Sequence, residues 1–131
     1  MIFFDDFPVV VIENFFVLDK VMNTGAAFSI FQGKTIFLVF ISVLALYYIH
    51  KSIIVEIDDK FGLLGGGILI GGIVGNLFDR IIYGEVIDFL SFNFFDYSFP
   101  VFNFADMFIC IGVLLLIINF LRGGSDENKS K

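Results

Sequence analysis

Residues 61–83 read FGLLGGGILIGGIVGNLFDRIIY, and Phe61 to Phe78 pass without a single charge. An uncharged run of about 18 residues makes about 27 Å of helix, close to the hydrocarbon thickness of a bilayer. The stretch therefore predicts a membrane-spanning helix. Gly67, Gly71 and Gly75 recur every four residues, with Gly65, Gly66 and Gly72 close by. Overlapping GxxxG spacing predicts a face on which a neighbouring helix can approach backbone to backbone. Four more residues along that row lead to Asp79, with Asn76 and Arg80 beside it. Polar and charged groups are expensive next to hydrocarbon, so this trio is expected to point into the bundle or its mouth.

Two further segments have the same character. Thr35 to Ile49 is uncharged and runs on through His50 and Lys51 into SIIV, and Met107 to Leu121 is uncharged again. These patterns predict helices over about 34–55, 61–83 and 103–121 within a single domain spanning 1–122. Residues 123–131 read as a polar tail. Residues 1–33 hold Asp5, Asp6, Pro8, Glu13, Asp19 and Lys20, which break every apolar run. Their β-branched and aromatic clusters, VVVI and FFVL, predict short strands at a membrane surface. The expected fold class is an all-α membrane protein: three visible transmembrane helices with a small extracytoplasmic β-strand region.

Bulk composition agrees. The chain has 131 residues, 58% hydrophobic and 17% charged, and a mean hydropathy of +0.94. A soluble domain carries about 25% charged residues. The net charge of −6 offers no basic stripe for nucleic acid. One cysteine, Cys110, and one histidine, His50, give no metal-ligand spacing and no cofactor signature. Cys110 reads as a packing residue within a helix.

Lysine and arginine placement sets the orientation. Lys51 and Lys60 mark one loop, Arg122, Lys129 and Lys131 mark the tail, and residues 84–102 carry neither type. The tail is thus expected to be cytoplasmic, and the 84–102 loop and the 1–33 arm to lie outside. Exporting an acidic arm with no helix before it is awkward, so a further helix upstream of Met1 is expected.

Two carboxylates stand out beyond Asp79. Asp88 follows Gly84 in the extended stretch GEVIDFL, and Asp106 lies in PVFNFAD, where Asn103 suits the N-cap of the third span. A capping role alone accounts for Asp106, since a helix N-terminus favours negative charge. It does not account for a second carboxylate returning to the same end of antiparallel spans. Two carboxyls close together in a low-dielectric site share a proton, which is the chemistry of aspartic proteases. For Asp79 and Arg80 an anchoring role or snorkelling to headgroups is the plainer alternative. Asn23 and Gly25, in NTGAAF, add an amide and a turn just before the first visible span.

Taken in order, NTGAAF at 23–28, GNLFDR at 75–80, VIDF at 86–89 and FNFAD at 102–106 resemble lipoprotein signal peptidase, also called signal peptidase II. The resemblance runs from about Phe15 to Leu121. It implies an intramembrane aspartic endopeptidase of the bacterial plasma (inner) membrane, multi-pass, with its site at the outer face. The implied reaction removes the signal peptide of prolipoproteins just before a cysteine bearing a diacylglyceryl group. Asp88 and Asp106 match the catalytic pair. Asn23, Gly25, Asn76, Asp79, Arg80 and Asn103 match supporting or substrate-binding positions. The family fold implies four transmembrane helices, a monomer surrounded by membrane lipid, and inhibition by globomycin-type peptides. Its first helix has no counterpart from Met1 onward. The rival is a non-enzymatic membrane subunit, an ion-conducting bundle or an inactive truncated relative. Against a conducting path, all the candidate polar residues gather at one side of the membrane.

Overall fold

The computed structural model describes residues 7–26, 30–54 and 59–127. Asp5, Asp6, the Ala27–Phe28 end of NTGAAF, Val55, Lys129 and Lys131, all used above, lie outside them. The elements run β1 (Val9–Ile12), β2 (Phe16–Asn23), α1 (Thr35–Ile49), α2 (Lys60–Tyr83), β3 (Val86–Phe94), β4 (Tyr97–Ser98) and α3 (Phe104–Glu127). A wider π-helical segment over His50–Ile54 extends α1. Three helices are long and apolar enough to cross a membrane. In α2, 39% of the spanning stretch is buried, against 6% for each of the other two. The glycine-rich helix is thus the inner one, and α1 and α3 leave most of their apolar surface for lipid.

The all-α expectation is corrected. A four-stranded antiparallel sheet in the order β1-β2-β3-β4 accompanies the helices. The arm before α1 supplies two strands, and the segment between α2 and α3, read as a loop with one short extended stretch, supplies the other two. Pairing of β2 with β3 runs from Phe16↔Phe92 to Asn23↔Val86. β-Branched and aromatic residues on both partners suit a pleated, half-buried surface. Phe16 stacks on Phe92 with ring centroids 4.6 Å apart. α3 also runs past Leu121 into the stretch read as a polar tail.

The chain divides into two compact units, Met1–Val39 with Phe78–Asn103, and Phe40–Leu77 with Phe104–Lys131. In the first, the sheet joins the end of α2 and the start of α1. Gly84 ends α2 in a left-handed conformation, φ 79°, with its N–H on the Arg80 carbonyl at 3.0 Å. Glycine alone adopts that cap without strain. The Gly84 carbonyl accepts the Thr35 hydroxyl at 2.7 Å, which ties the start of α1 to the same turn. In β3, Val86, Asp88 and Leu90 are buried in strict alternation, so the carboxylate lies on the inward face between two apolar neighbours.

In the second unit α2 and α3 pack antiparallel. A Cβ added at Gly65 would meet Leu115 Cβ at 2.9 Å, and one at Gly72 would meet the Ala105 carbonyl at 2.5 Å. From the other side, a Cβ at Gly112 would meet the Leu69 backbone nitrogen at 2.5 Å. The buried row on α2 is therefore Gly62, Gly65, Leu69, Gly72 and Asn76, a 3-4-3-4 spacing that keeps one seam against a neighbour. The predicted Gly67, Gly71 and Gly75 face is corrected accordingly. Gly67 and Gly71 have open space where a Cβ would go, and only Gly75 nears a neighbour, Ala105 Cβ at 3.1 Å. At the far end of the pair the Arg122 guanidinium sits 5.2 Å from the centre of the Phe61 ring. Cys110 is exposed on α3 instead of packed inside.

Candidate active site

The buried row of α2 ends on a polar residue. Asn76 is 8% exposed, and its Nδ2 donates to Asp106 Oδ1 at 2.8 Å. Asp106 lies in the first turn of α3, where backbone N–H groups and the helix dipole favour a carboxylate. Asn76 and Asp106 thus form a polar pair on the tightest stretch of the α2–α3 seam, beside Gly72 and Ala105.

A separate polar group is built on the sheet. Asp88 is 3% exposed, and a charge that deep is unfavourable without partners. It has two amides. Asn23 Nδ2 donates to Oδ2 at 3.0 Å and Asn103 Nδ2 donates to Oδ1 at 2.9 Å. Register explains the first bond. Asn23 pairs with Val86, so Asp88 is its diagonal neighbour on the same face. Asn103, 4% exposed, is the last residue before α3 and also reaches the Ile87 carbonyl at 3.5 Å.

Asp79 and Arg80 fasten this unit together. Asp79 Oδ2 accepts the Ile87 N–H at 3.2 Å, which locks the last turn of α2 to β3 beside Asp88. Arg80 Nη2 donates to the carbonyl of buried Gly25 at 2.8 Å. The Gly25 N–H in turn donates to Asn23 Oδ1 at 2.8 Å. Three hydrogen bonds therefore run from Arg80 through Gly25 and Asn23 to Asp88. The Asn23 amide, read from sequence as a candidate holder of substrate backbone, is committed to Asp88, Gly25 and the Ala26 carbonyl.

Two groups near the site were not singled out from sequence. The Thr24 hydroxyl accepts the Gly33 N–H at 3.2 Å and closes the turn after NTG, and Thr35 anchors α1 as described. The only sequence signal for either is a threonine next to a glycine-containing turn, which is too common to stand out. Among the described residues no three His, Cys, Asp or Glu side chains come together in the manner of a metal site.

Three helices long and apolar enough to cross a membrane, an antiparallel sheet and a buried carboxylate held by two asparagine amides define a multi-pass membrane protein. A family model described as signal peptidase (SPase) II matches residues 2–122. The lipoprotein signal peptidase of Clostridium novyi (strain NT) is 39% identical over 119 residues, covering 87% of this chain and 78% of that protein. That of Bacillus pumilus (strain SAFR-032) is 37% identical over 132 residues, covering 96% and 81%. A bacterial membrane enzyme solved by the in meso method at 2.3 Å superposes with a TM-score of 0.83 at 36% identity, over 91% of this chain and 73% of that one. The chain belongs to the signal peptidase II family, the lipoprotein signal peptidases, which are membrane proteases.

Proposed function

We propose that the chain is an aspartic endopeptidase in which Asp88 and Asp106 together activate one water molecule against the scissile amide of a prolipoprotein. The observation that carries this reading is the setting of Asp88: a 3% exposed carboxylate with a donor on each oxygen. A merely structural carboxylate at a strand–helix junction has no need of burial on an apolar sheet face. Sequence likeness favours a pair. Asp88 in VIDF and Asp106 in FNFAD each fall in a stretch by which the chain resembles its family. In a pair of this kind one carboxyl stays ionised while the other keeps a proton.

The supporting residues take defined roles in this reading. Asn76 orients Asp106, Asn23 and Asn103 orient Asp88, and Asp79, Arg80 and Gly25 fix the sheet to the end of α2. Lysine placement supports a site at the outer face of the bacterial plasma membrane, with the carboxyl-terminal end cytoplasmic. A diacylglyceryl chain on the substrate cysteine would stay in the hydrocarbon while the scissile bond reaches the carboxylates. Globomycin-type peptides would compete for the same place, and a monomer suffices because both acids come from one chain. No cofactor is required by this chemistry.

The protein reconstituted in lipid is expected to cleave a prolipoprotein peptide bearing a diacylglyceryl cysteine at least about 100-fold more efficiently than the same peptide with a free thiol. Each buried methylene contributes about 0.8 kcal/mol to membrane anchoring, and remote binding energy of this kind aids the reacting centre. Product size by mass spectrometry, with the cut immediately before the cysteine, checks both parts. Equal kcat/KM for the two peptides would remove the lipid from the proposed recognition.

A further inference from the structure

We infer that Phe95, at the tip of the β3–β4 hairpin, is a lipid anchor whose ring enters the boundary between headgroups and acyl chains and fixes the end of β3 to the membrane surface. Backbone conformation singles this residue out. Among the described residues three other than glycine have positive φ: Asn14 at 59°, Phe31 at 60° and Phe95 at 53°. Asparagine tolerates that region, whereas a bulky side chain there is a strained exception. The hairpin pairs Asn93 with Ser98 and Phe94 with Tyr97, which leaves Phe95 and Asp96 as a two-residue loop. The first position of such a loop needs positive φ and normally holds glycine, asparagine or aspartate. Here it holds a phenylalanine that is fully exposed. A ring in the open obtains nothing from its own fold to offset the strain, so the compensation has to come from outside the chain.

The stem below the tip is stiff. Ser98 Oγ donates to Asn93 Oδ1 at 2.7 Å, and the Phe99 N–H donates to the Phe92 carbonyl at 2.8 Å. Phe15 sets its ring edge-on against Phe92 and Phe94, with centroids 5.6 and 5.5 Å away. Around the tip Phe94, Tyr97 and Phe99 are exposed as well. From Phe89 to Asn103 the single charged residue is Asp96. An exposed apolar cluster of this kind marks a contact surface, and aromatic rings gather where a bilayer meets water.

Lipid is the occupant that fits. A stable protein interface takes about 800 Å² from each partner, and four rings on one convex hairpin fall short of that. Fluid lipid needs no matching surface. The unit that carries the hairpin also contains the first turn of α1 and the last turn of α2, both from helices apolar enough to cross a membrane. Phe31, the other phenylalanine with positive φ, is exposed, and its ring lies 5.4 Å from that of Phe37 in the first turn of α1. Ile36 beside it is 87% exposed. One strained phenylalanine thus already sits at the end of a span.

A consequence follows for β3. Asp79 ties its start to α2 at Ile87, and Phe95 would tie its other end, about 23 Å of strand beyond Asp88 at 3.3 Å per residue. The strand that carries Asp88 is then held from both sides. Anchoring of this kind does not depend on the chemical roles of Asp88 and Asp106.

The chain has no tryptophan, so Phe95→Trp introduces its only indole. The variant is reconstituted in vesicles of palmitoyl-oleoyl phosphatidylcholine and in vesicles of the same lipid brominated on its acyl chains. Phe120→Trp, exposed on α3, is the lipid-facing reference. Bromine is expected to remove about half of the Phe95→Trp emission, as for a ring about 5–10 Å into the boundary region, while aqueous iodide leaves the emission unchanged. Tyr97→Trp is expected to be quenched in the same way, and adding Phe95→Gly to it, which removes the ring and relaxes the backbone, to weaken that quenching about twofold. Emission quenched by iodide and untouched by bromine would overturn the anchor, because the tip would stand in water. Quenching by neither would also overturn it, because protein would then cover the ring. So would bromine quenching of Tyr97→Trp that is unchanged by Phe95→Gly. Should Phe95→Trp fail to insert, the Tyr97→Trp pair of variants decides.

Discussion

Asp88→Asn and Asp106→Asn are each expected to lower kcat by about a thousandfold or more, with the protein still folded and inserted. Both replacements keep the shape of the side chain and remove only its acid chemistry. At Asp88 the fold should tolerate the change well. A buried charge is costly to desolvate, and a neutral isostere still offers an oxygen to the Asn23 or Asn103 amide. Loss of activity without loss of stability is the signature that separates a reacting group from an anchor. The double variant is expected to be no slower than the worse single one, because two acids that act on one water fail together when either is lost. Cleavage of the lipidated peptide followed by mass spectrometry, with circular dichroism in the same detergent, checks all three variants. Multiplicative losses in the double variant would mean that the two carboxylates work independently.

Gly72→Ala and Gly112→Ala are expected to destabilise the protein by about 3 kcal/mol or more each, or to prevent its accumulation in the membrane. The clash is with backbone in both cases. The new Cβ at Gly72 would lie 2.5 Å from the Ala105 carbonyl and 2.8 Å from the Ile109 nitrogen, and at Gly112 2.5 Å from the Leu69 nitrogen. No rotamer change relieves such contacts, so α3 would have to move away from α2. Gly72→Ala also reaches the chemistry, because the displaced turn of α3 carries Asp106 and its bond to Asn76. Gly67→Ala and Gly71→Ala are expected to be neutral or to stabilise by up to about 1 kcal/mol, since nothing lies within 4 Å of either new methyl and alanine favours the helix. Thermal unfolding followed by circular dichroism ranks the four variants. Equal effects at Gly71 and Gly72 would contradict the packing of the helix pair.

That contrast shows where the sequence was legible and where it was not. The presence of α2 and its tight packing follow from the uncharged, glycine-rich run. The packed face does not, because glycines at 65–67 and at 71–72 fit two rows equally well. Physics separates the rows. A residue every fourth position gains about 40° per step on a helix of 3.6 residues per turn, so the 67-71-75-79 row slides off a straight neighbour. A 3-4-3-4 row stays in register and ends on Asn76, with Asp79 and Arg80 one turn further on.

The sheet was legible only in part. Alternation in VIDFL marks an extended segment with its aspartate on the same face as a valine and a leucine. The partner strand could not be read, because Asn23 and Asp88 are brought together by a pairing 65 residues apart in sequence and no local pattern encodes a partner at that distance. The loss of the all-α description has the same origin. The contact of Asn23 was hidden for a related reason: only the strand register places its amide diagonally across from a buried carboxylate.

The central claim is that Asp88 and Asp106 converge on a single water. The most direct measurement is the distance between their carboxyl oxygens in an experimentally determined complex with a globomycin-type peptide. An approach of about 3–6 Å, with a polar atom of the peptide seated between the two, is the expected result, since proton transfer requires hydrogen-bond reach or one intervening water. Carboxyl groups turned apart and more than about 8 Å distant, with the peptide bound elsewhere, would contradict it.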